Sequence, residues 1–243
     1  MCTSGQHDTM ATRPQIDQQQ TASPWCSSRK KRMMDIILVI PSVVLTAPLM
    51  LLIALSIRST SRGPVLFRQW RWGLNAGQFQ LLKFRTMEYR SAESGPGVTR
   101  RGDLRVTRLG KWLRRWKLDE LPQFINVLRG EMSIVGPRPD LEDFWRQATE
   151  VERHVLAVKP GLTGAATLAF RNEEELLAHV PESELVGFYV RDLLPRKARL
   201  DCEYASQASF LSDCRVLVKT IVRLFSPSPI HNRPEKIRDN VSR

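Results

Sequence analysis

The chain has 243 residues, a hydrophobic fraction of 42% and a formal net charge of +12 at pH 7. This length holds one large domain or two small ones, and four scattered cysteines without a C-x-x-C pair argue against a disulfide framework or a zinc site. The charge favours an anionic partner: nucleic acid, anionic lipid or nucleotide phosphate. The surplus is local, because residues 58–117 hold 15 lysines and arginines against 3 acids.

The N-terminal part combines a polar leader with one long apolar run. Residues 1–28 contain few apolar side chains and are predicted to be disordered. The run MMDIILVIPSVVLTAPLMLLIALSI, residues 33–57, is basic on both sides and long enough to cross a bilayer, which takes about 20 residues. Because lysine and arginine tend to stay in the cytoplasm, we expect residues 29–58 to enter the membrane and return. An ordinary kinked transmembrane helix is the alternative.

Two prolines inside the run, Pro41 and Pro48, are the predicted positions of the re-entrant bend. Each lacks a backbone donor, so the carbonyl four residues earlier loses its helical partner and the helix can kink. In hydrocarbon such carbonyls need other donors. The hydroxyls of Ser42 and Thr46 are predicted to help satisfy them.

Residues 59–225 are predicted to form the main domain, followed by a tail over residues 226–243. The segments GPVLFRQWRWG and GQFQLLKFRTM, joined by LNAG, predict a β-hairpin, and ESGPGVTRRGD predicts a loop. RLGKWLRRWKL is predicted to be a helix whose two tryptophans and its cations suit a membrane interface, with packing on its own domain as the alternative. Its apolar positions are Leu109, Trp112, Leu113 and Trp116.

The second half of the domain is predicted to alternate short helices with turns. DELPQFINVLRG has helical apolar spacing with Gly130 as its C-terminal cap, and SIVGPRP is predicted to be a strand that ends in a rigid loop. An acidic helix is predicted over about residues 140–155, a turn at KPGLTG, and helices at NEEELLA and SELVGFYVRDLLP. SFLSDCRVLVKTIVRLF is amphipathic and is predicted to dock on the domain or on the membrane surface.

Asp119 and Glu120 are the densest chemical signal in the chain. They are predicted in the first turn of a helix, where unpaired backbone N–H groups and the helix dipole make a positive end. Adjacent helical residues point about 100° apart, so the two carboxylates can take different roles. From the pair alone a structural role stays open, with Asp119 as a helix N-cap.

Cations flank this acidic pair on both sides. Arg114, Arg115 and Lys117 precede it, and the prolines of GPRP hold Arg138 in a preset direction after it. Arginine grips phosphate bidentately, a helix start adds N–H donors, and carboxylates can hold Mg²⁺. The pattern therefore indicates a phosphate site. Two cations of KFRTM add to it unless they are solvated charges on a strand: Lys83 and Arg85.

Four segments resemble the signature blocks of the bacterial sugar transferases called monotopic phosphoglycosyl transferases, in the family's order: GPVLFRQWRWG, LLKFRTM, LDELPQFINVLRGEMSIVGPRP and KPGLTG. The resemblance covers about residues 31–224, is highly specific in the third block, and is to the small form of these enzymes. It implies an α+β fold on the cytoplasmic face of the bacterial inner membrane. A re-entrant N-terminal membrane helix, a small β-hairpin and several amphipathic interfacial helices would surround a cytoplasmic catalytic core.

The resemblance also implies a reaction, the transfer of a sugar 1-phosphate from a UDP-sugar to polyprenol phosphate at the start of glycan assembly. By the family pattern Asp119 is the nucleophile that carries the phosphosugar after UMP leaves, and Glu120 helps to bind Mg²⁺ or manages protons. The dyad is thus also the expected Mg²⁺ site. Residues expected to bind substrate are Arg138, Arg114, Lys83, Arg85, Gln123, Pro137 and Pro139. Membrane lipids are further expected partners, nucleic acid is not, and a homodimer stays open.

The chain departs from the family pattern in two places. Ala47 stands where a serine often precedes the proline at position 48, so one hydroxyl near the bend is missing. AATLAFRN follows PGLTG, where the family often has Trp-Ala-Gln. The identity of the sugar therefore stays open.

Two other functions compete with the transferase on the residues themselves. A membrane-attached basic module that binds nucleic acid or anionic lipid without catalysis would explain the basic segment, but it explains neither DELPQ nor GPRP. A metal-dependent phosphohydrolase needs the same groups and would release free phosphosugar without a lipid acceptor.

Overall fold

The computed structural model describes residues 22–89, 97–100 and 102–225, in which short helices surround two small two-stranded sheets. This mixture of helix and small sheets confirms the predicted α+β class. The strands are β1 (Leu66–Trp72), β2 (Gln78–Phe84), β3 (Ser133–Val135) and β4 (Gly161–Thr163). The helices are α1 (Pro24–Ser27), α2 (Arg29–Thr60), α3 (Arg108–Arg115), α4 (Gln123–Arg129), α5 (Glu142–Gln147), α6 (Glu150–Arg153), α7 (Ala165–Ala169), α8 (Glu173–Leu177), α9 (Leu185–Phe188), α10 (Leu194–Ser206) and α11 (Phe210–Phe225).

The first described residues pack against the C-terminal helices. The Ser23 N–H donates to the Ala205 carbonyl at 2.8 Å, and the Trp25 indole N–H donates to the Asp213 carboxylate at 2.9 Å. Ser23 also caps α1 through its side chain. The predicted disordered leader is therefore wrong over residues 22–28, because long-range hydrogen bonds satisfy this polar segment. Residues 1–21 and the predicted tail, 226–243, lie outside the described residues.

The apolar run forms one continuous helix, α2, of 32 residues with both prolines inside it. The hydroxyl of Ser42 donates to the Leu38 carbonyl and that of Thr46 to the Ser42 carbonyl, each at 2.7 Å. These carbonyls are not the ones that the prolines leave without a donor, so the predicted role of the two hydroxyls is wrong. A Ser or Thr hydroxyl in a helix reaches the carbonyl four residues before it, and that geometry decides the partner.

Both ends of α2 pack on the same body of the protein. Near its start, Lys31 donates to Asp213 at 2.5 Å, and Asp35 accepts from the Ser133 hydroxyl and the Ile134 N–H at 3.0 Å each. Near its end, two buried isoleucines share a core cluster with Phe84 and Leu113, namely Ile53 and Ile57. Between these contacts the helix presents exposed apolar side chains that include Ile40, Val44, Leu45, Leu51 and Leu52.

The predicted β-hairpin is confirmed. β1 and β2 are antiparallel, with Leu66 opposite Phe84 and Trp72 opposite Gln78, and a short turn over residues 73–77 joins them. The inner face of β2 and the side of α4 cover one core cluster, so α4 and the residues before it are held against the hairpin. This cluster includes Val39, Phe79, Leu81, Val127 and Met132.

The second sheet contradicts the prediction of a turn at KPGLTG. Residues Gly161–Thr163 form β4, which pairs in parallel with β3. β4 lies close to the residue that follows β3, because a Cβ atom added to Gly161 would lie 2.1 Å from the Gly136 nitrogen. Parallel pairing is a long-range contact, and a three-residue strand rich in glycine carries no local strand signal. The pairing places the loops that follow β3 and β4 side by side.

The amphipathic helices divide their apolar residues between the core and the surface. In α3, Leu113 is fully buried and Leu109 is partly buried, whereas Trp112 and Trp116 are 49% and 43% exposed. The helix therefore packs on its own domain and leaves its tryptophans outside. In α11, Val216 and Leu217 contact the core, and the exposed side carries Phe210, Leu211, Val218, Ile221 and Val222.

The predicted acidic helix over residues 140–155 is broken into α5 and α6. Ala148 is extended, and Thr149 starts α6 with a capping box in which its hydroxyl accepts from the Glu152 N–H and the Glu152 carboxylate accepts from the Thr149 N–H. The capping box gives the chain a new helix start, which the apolar periodicity does not reveal.

Candidate functional site

The acidic pair lies in a tight turn just before α4. Residues Leu118–Glu120 form a 3₁₀ turn. The prediction that Asp119 and Glu120 lie in the first turn of an α-helix is therefore wrong, because α4 begins only at Gln123. Lys117, which lies two residues after α3 and starts this turn, has a φ of 56° in the left-handed region. As predicted, α4 ends at Gly130, whose φ of 81° suits glycine.

Glu120 is a buried carboxylate shared by two cations. Its Oε1 atom accepts from Lys83 Nζ at 3.1 Å and from Arg138 Nη2 at 2.9 Å. Burial raises the pKa of Glu120, but the charges of Lys83 and Arg138 outweigh it and hold the pKa well below that of an ordinary glutamate. In turn the Glu120 charge raises the pKa of Arg138. Glu120 therefore stays ionised and holds both cations in the site.

Asp119 has a buried carboxylate oxygen without a hydrogen-bond partner. Its Oδ1 atom is buried and forms no hydrogen bond, and the residue is 6% exposed. Burial raises the pKa of Asp119, the charge of Lys83 opposes this, and the negative charge of Glu120 adds to it. Buried polar atoms are nearly always paired, so an unpaired carboxylate oxygen points to a ligand that completes it.

The dyad lines a cleft of about 700 Å³, which lies within the usual range for pockets that hold small molecules and cofactors. The structure brings most of the predicted site residues to this cleft: Asp119, Glu120, Lys83, Arg85, Arg114, Gln123, Arg138 and Pro139. Pro137 does not line it. The Pro137 carbonyl instead accepts the Gly161 N–H at 2.7 Å and so belongs to the contact between β4 and the segment that follows β3.

Two of the predicted phosphate-binding arginines already have protein partners. Arg114 donates to the Thr86 hydroxyl at 2.9 Å and to Glu174 at 3.3 Å, at the edge of the cleft. Arg85 is 4% exposed, and its guanidinium donates to the carbonyls of two residues that follow α2, Ser61 and Arg62. Its guanidinium thus holds the segment that follows α2, and substrate binding by Arg85 stays a prediction.

A second charged cluster in the cleft was missed by the sequence analysis. Lys197 donates to the Tyr189 hydroxyl at 2.5 Å and to Glu173 at 3.1 Å, and its Nζ lies 3.5 Å from Asp140. The Tyr189 hydroxyl donates to Asp140 at 2.9 Å. Arg71 completes the cluster with a contact of 4.0 Å to Asp140. The members come from distant parts of the chain, so no local pattern could have joined them.

The resemblance implies a Mg²⁺ ion, whose usual ligands in proteins are oxygen atoms. Among the described residues, no group of three or more His, Cys, Asp or Glu side chains could hold a metal ion. Mg²⁺ at phosphate-transfer sites is commonly held by one or two carboxylates, with substrate phosphates and water as the remaining ligands. Asp119, with its unpaired oxygen, and Glu120 fit that smaller donor set.

The chain matches one protein family over most of its length. Residues 26–227 match the family model of the bacterial sugar transferases. A UDP-glucose:undecaprenyl-phosphate glucose-1-phosphate transferase from Caulobacter vibrioides is 38% identical over 203 residues, which cover 81% of this chain and 70% of that protein. An enzyme of the same name from Escherichia coli is 36% identical over 80% of this chain, but the match covers only 40% of its own length.

A third relative is named for another sugar. The UDP-N-acetylgalactosamine-undecaprenyl-phosphate N-acetylgalactosaminephosphotransferase of Aeromonas hydrophila is 43% identical over 56% of this chain and 33% of its own length. This chain thus spans well under half of the Escherichia coli and Aeromonas relatives. The family match covers most of the chain, including α2, the dyad and α11, and the chain belongs to the bacterial sugar transferase family.

Proposed function

We propose that the protein transfers a sugar 1-phosphate from a UDP-sugar to polyprenol phosphate. The observation that carries this proposal is the buried Asp119 carboxylate with an unpaired oxygen, next to a Glu120 that holds two cations, in a cleft of about 700 Å³. The names of the relatives support both substrate classes. The alternative of a non-catalytic basic module gains no support from the family match.

In the first step, a carboxylate oxygen of Asp119 attacks the phosphorus atom that carries the sugar. The bond between that phosphorus and the oxygen bridging to UMP breaks, and UMP leaves with the bonding electrons. Asp119 then carries the phosphosugar as an acyl phosphate. Burial of Asp119 suits this role, because a carboxylate shielded from water is a stronger nucleophile than a hydrated one.

In the second step, a phosphate oxygen of polyprenol phosphate attacks the same phosphorus. The acyl phosphate bond breaks, the Asp119 carboxylate is restored, and the product is a polyprenyl diphosphate sugar. Two steps at one phosphorus need only one cluster of cations. Arg138 and Lys83 supply it, since Glu120 fixes both beside the nucleophile.

Mg²⁺ is proposed as the cofactor, held by Asp119 and Glu120 together with the substrate diphosphate. When bound, the ion would neutralise charge on the transferred phosphoryl group. The protein's own contribution is to orient the donor. Arg138, set between two prolines and bonded to Glu120, presents a planar guanidinium that can bind a phosphate through two hydrogen bonds.

We further propose that α2 enters the membrane from the cytoplasm and returns, so that the enzyme acts on the cytoplasmic face of the inner membrane. A straight helix of 32 residues is about 48 Å long, against a hydrocarbon core of about 30 Å. A spanning helix would place its two ends on opposite sides. Here Asp35 near one end and Ile57 near the other both contact the same body, while the middle of α2 is apolar and exposed.

The topology can be tested with an introduced cysteine. The native Cys26 is a poor probe, because its sulfur contacts the Ala205 carbonyl at 3.6 Å and burial raises the pKa of its thiol. Lys30→Cys, at an exposed position, is therefore placed in a chain whose native cysteines are serine. An impermeant maleimide should label it only after lysis, as it should a matched cysteine at the exposed Glu203. Labelling of position 30 alone in intact cells would mean that α2 spans the membrane.

The proposed reaction is tested by UMP release across a panel of UDP-sugars, with and without polyprenol phosphate. UDP-glucose and UDP-N-acetylgalactosamine head the panel, because relatives are named for both. Sustained release that requires the lipid, with one UDP-sugar preferred, is the expected result. Equal release without the lipid, accompanied by free phosphosugar, would instead identify a phosphohydrolase.

A further inference from the structure

Lys117 differs from the other cations near the dyad. Lys83 and Arg138 are bonded to Glu120, and Arg114 is bonded to Thr86 and Glu174. The Lys117 ammonium lines the same cleft, is exposed, and has no hydrogen bond or ion pair in the part of the chain that the structure describes. It is therefore free to bind an incoming anion.

Two other cations line the cleft, and among the described residues their side chains form no hydrogen bond or ion pair: Arg68 and Arg171. Lys117 is distinguished from them by its nearness to the reacting carboxylates. It precedes Asp119 by two residues and starts the turn that holds the dyad, whereas Arg68 lies in β1 and Arg171 lies between α7 and α8. An anion held by Lys117 would thus lie next to the nucleophile.

The position of Lys117 also connects the dyad with the apolar surface of the protein. It lies two residues after α3, and that helix packs Leu113 against the cluster that contains Ile53 and Ile57 of α2. The exposed Trp116 precedes Lys117 by one residue. Tryptophan and lysine side chains in this arrangement suit the headgroup level of a membrane, where a lipid phosphate would arrive.

The backbone at Lys117 is strained in a way that serves this position. A lysine with a φ of 56° is uncommon, because a Cβ atom disfavours the left-handed region. This conformation leads the chain, two residues after α3, into the tight turn of the dyad. Glycine or asparagine would satisfy the backbone better, so the lysine side chain needs a reason other than folding.

We propose that Lys117 binds the phosphate of the lipid acceptor and guides it to the phosphosugar carried by Asp119. This inference rests on the proposed function and assigns one residue to its second step. A phosphate monoester bears a charge of about −1.5 to −2 at neutral pH and must approach another phosphoryl group, so a free cation at the entry lowers the repulsion. Lysine suits a mobile lipid headgroup, because its ammonium is a point charge without a fixed binding plane.

The test separates the two halves of the reaction in the full-length protein in membranes or detergent. Lys117→Asn removes the charge but suits the left-handed backbone, so its melting temperature should stay equal or rise. The KM for polyprenol phosphate should rise roughly tenfold to 100-fold, as expected for a lost charged contact. The burst of UMP in the absence of lipid reports formation of the adduct and should change by less than about threefold. Loss of a charged contact to the UDP-sugar would reduce it by more than that.

Two matched variants control for charge and place. Lys117→Arg keeps the charge and should keep the acceptor KM within about threefold, since only the shape of the cation changes. Lys111→Gln removes an exposed lysine of α3 that does not line the cleft and should leave both half-reactions unchanged. A Lys117→Asn variant with an unchanged acceptor KM, or with a large loss of the UMP burst, would overturn the proposal. Absence of any UMP burst from the wild type would instead defeat the proposed function itself.

Discussion

Two carboxylate clusters line the same cleft and differ in how completely their polar atoms are paired. In the cluster around Asp140, Tyr189 and Lys197 both contact that carboxylate, and Lys197 is 3% exposed. In the cluster of Glu120 with Lys83 and Arg138, the neighbouring Asp119 keeps a buried oxygen with no partner. Both oxygens of Asp140 therefore have partners, whereas Asp119 keeps an unpaired oxygen; in the Asp140 cluster the unpaired buried atom is the Nε of Arg71.

The difference separates a scaffold from a reactive site. Satisfied buried networks fix one arrangement of the chain, and the Asp140 cluster fixes the segment that follows Arg138. A buried carboxylate oxygen without a partner destabilises the folded state, and a ligand that pairs with it on binding removes this destabilisation. We therefore expect substitutions in the Glu120 and Asp119 pair to affect turnover most, and substitutions around Asp140 to affect folding most.

The largest expected effect on turnover is that of Asp119→Asn. An amide is a poor nucleophile, so turnover should fall by at least roughly 10³-fold, in line with the loss of a catalytic nucleophile. Intact-protein mass spectrometry should show a phosphosugar adduct on the wild type and none on the variant. The melting temperature should be close to that of the wild type, because the amide is nearly isosteric and Oδ1 has no bond to lose. Normal turnover would remove Asp119 from the reaction.

Glu120→Gln should have the second largest effect, because it leaves Lys83 and Arg138 without their shared anion. Turnover should fall by about 10²-fold, as for the loss of a preorganised electrostatic group, and the dependence on Mg²⁺ should change. An unchanged Mg²⁺ titration would argue against metal binding by Glu120.

The pH dependence of this variant's stability follows from the lowered pKa of Glu120. A carboxyl whose pKa is lowered by folding contributes stability that is complete above its unfolded-state pKa, about 4.3 for glutamate, and is lost as the pH falls through the folded-state value. The difference in unfolding free energy between wild type and Glu120→Gln should therefore be constant near neutral pH and shrink below about pH 4. Denaturant titrations at several pH values measure it, and a difference that grows on acidification would refute the ionised state of Glu120.

Arg138→Lys should reduce kcat/KM by roughly tenfold or more while leaving the melting temperature nearly unchanged. Lysine keeps the positive charge beside Glu120 but loses the planar fork that grips phosphate. Steady-state kinetics with the preferred UDP-sugar measure the effect. A loss well under tenfold would place Arg138 outside the substrate site.

Lys197→Met should show the smallest loss of turnover per folded molecule, less than about tenfold. Its main effect should be on stability, since removing one partner of a buried ion pair costs roughly 3 kcal/mol or more. The double variant with Asp140→Asn should recover part of that loss. A large loss of turnover with unchanged stability would mean that the Asp140 cluster takes part in the chemistry.

The parts of the site that are local in the chain were predictable. Asp119, Glu120 and Arg138 fall within one block of about 20 residues, so their chemistry and spacing are visible together. The hairpin was predictable for the same reason, because β1 and β2 are joined by a short turn. The left-handed backbone conformation of Lys117 was not predictable, because lysine has no preference for it and so gives no sign of a turn between α3 and the dyad.

The parts that depend on distant contacts were not predictable. The Asp140–Tyr189 bond joins residues 49 apart, and β4 exists only because β3 pairs with it. The bonds from the Arg85 guanidinium to the carbonyl groups of Arg62 and Ser61 join residues 23 and 24 apart, so the sequence did not show them. Periodicity gave the apolar faces of α3 without showing which residues face the protein and which face outward.

The way α2 packs has a practical consequence for preparing the protein. Val39 is fully buried in the core beside the hairpin, and Asp213 is the buried partner of Lys31. Deleting residues 29–60 to obtain a water-soluble fragment would open a cavity in that core and leave a carboxylate buried without its counter-ion. Solubilisation is better sought by polar substitution along the outward side of the helix, for example at Val44 and Leu45, which leaves the inward side intact.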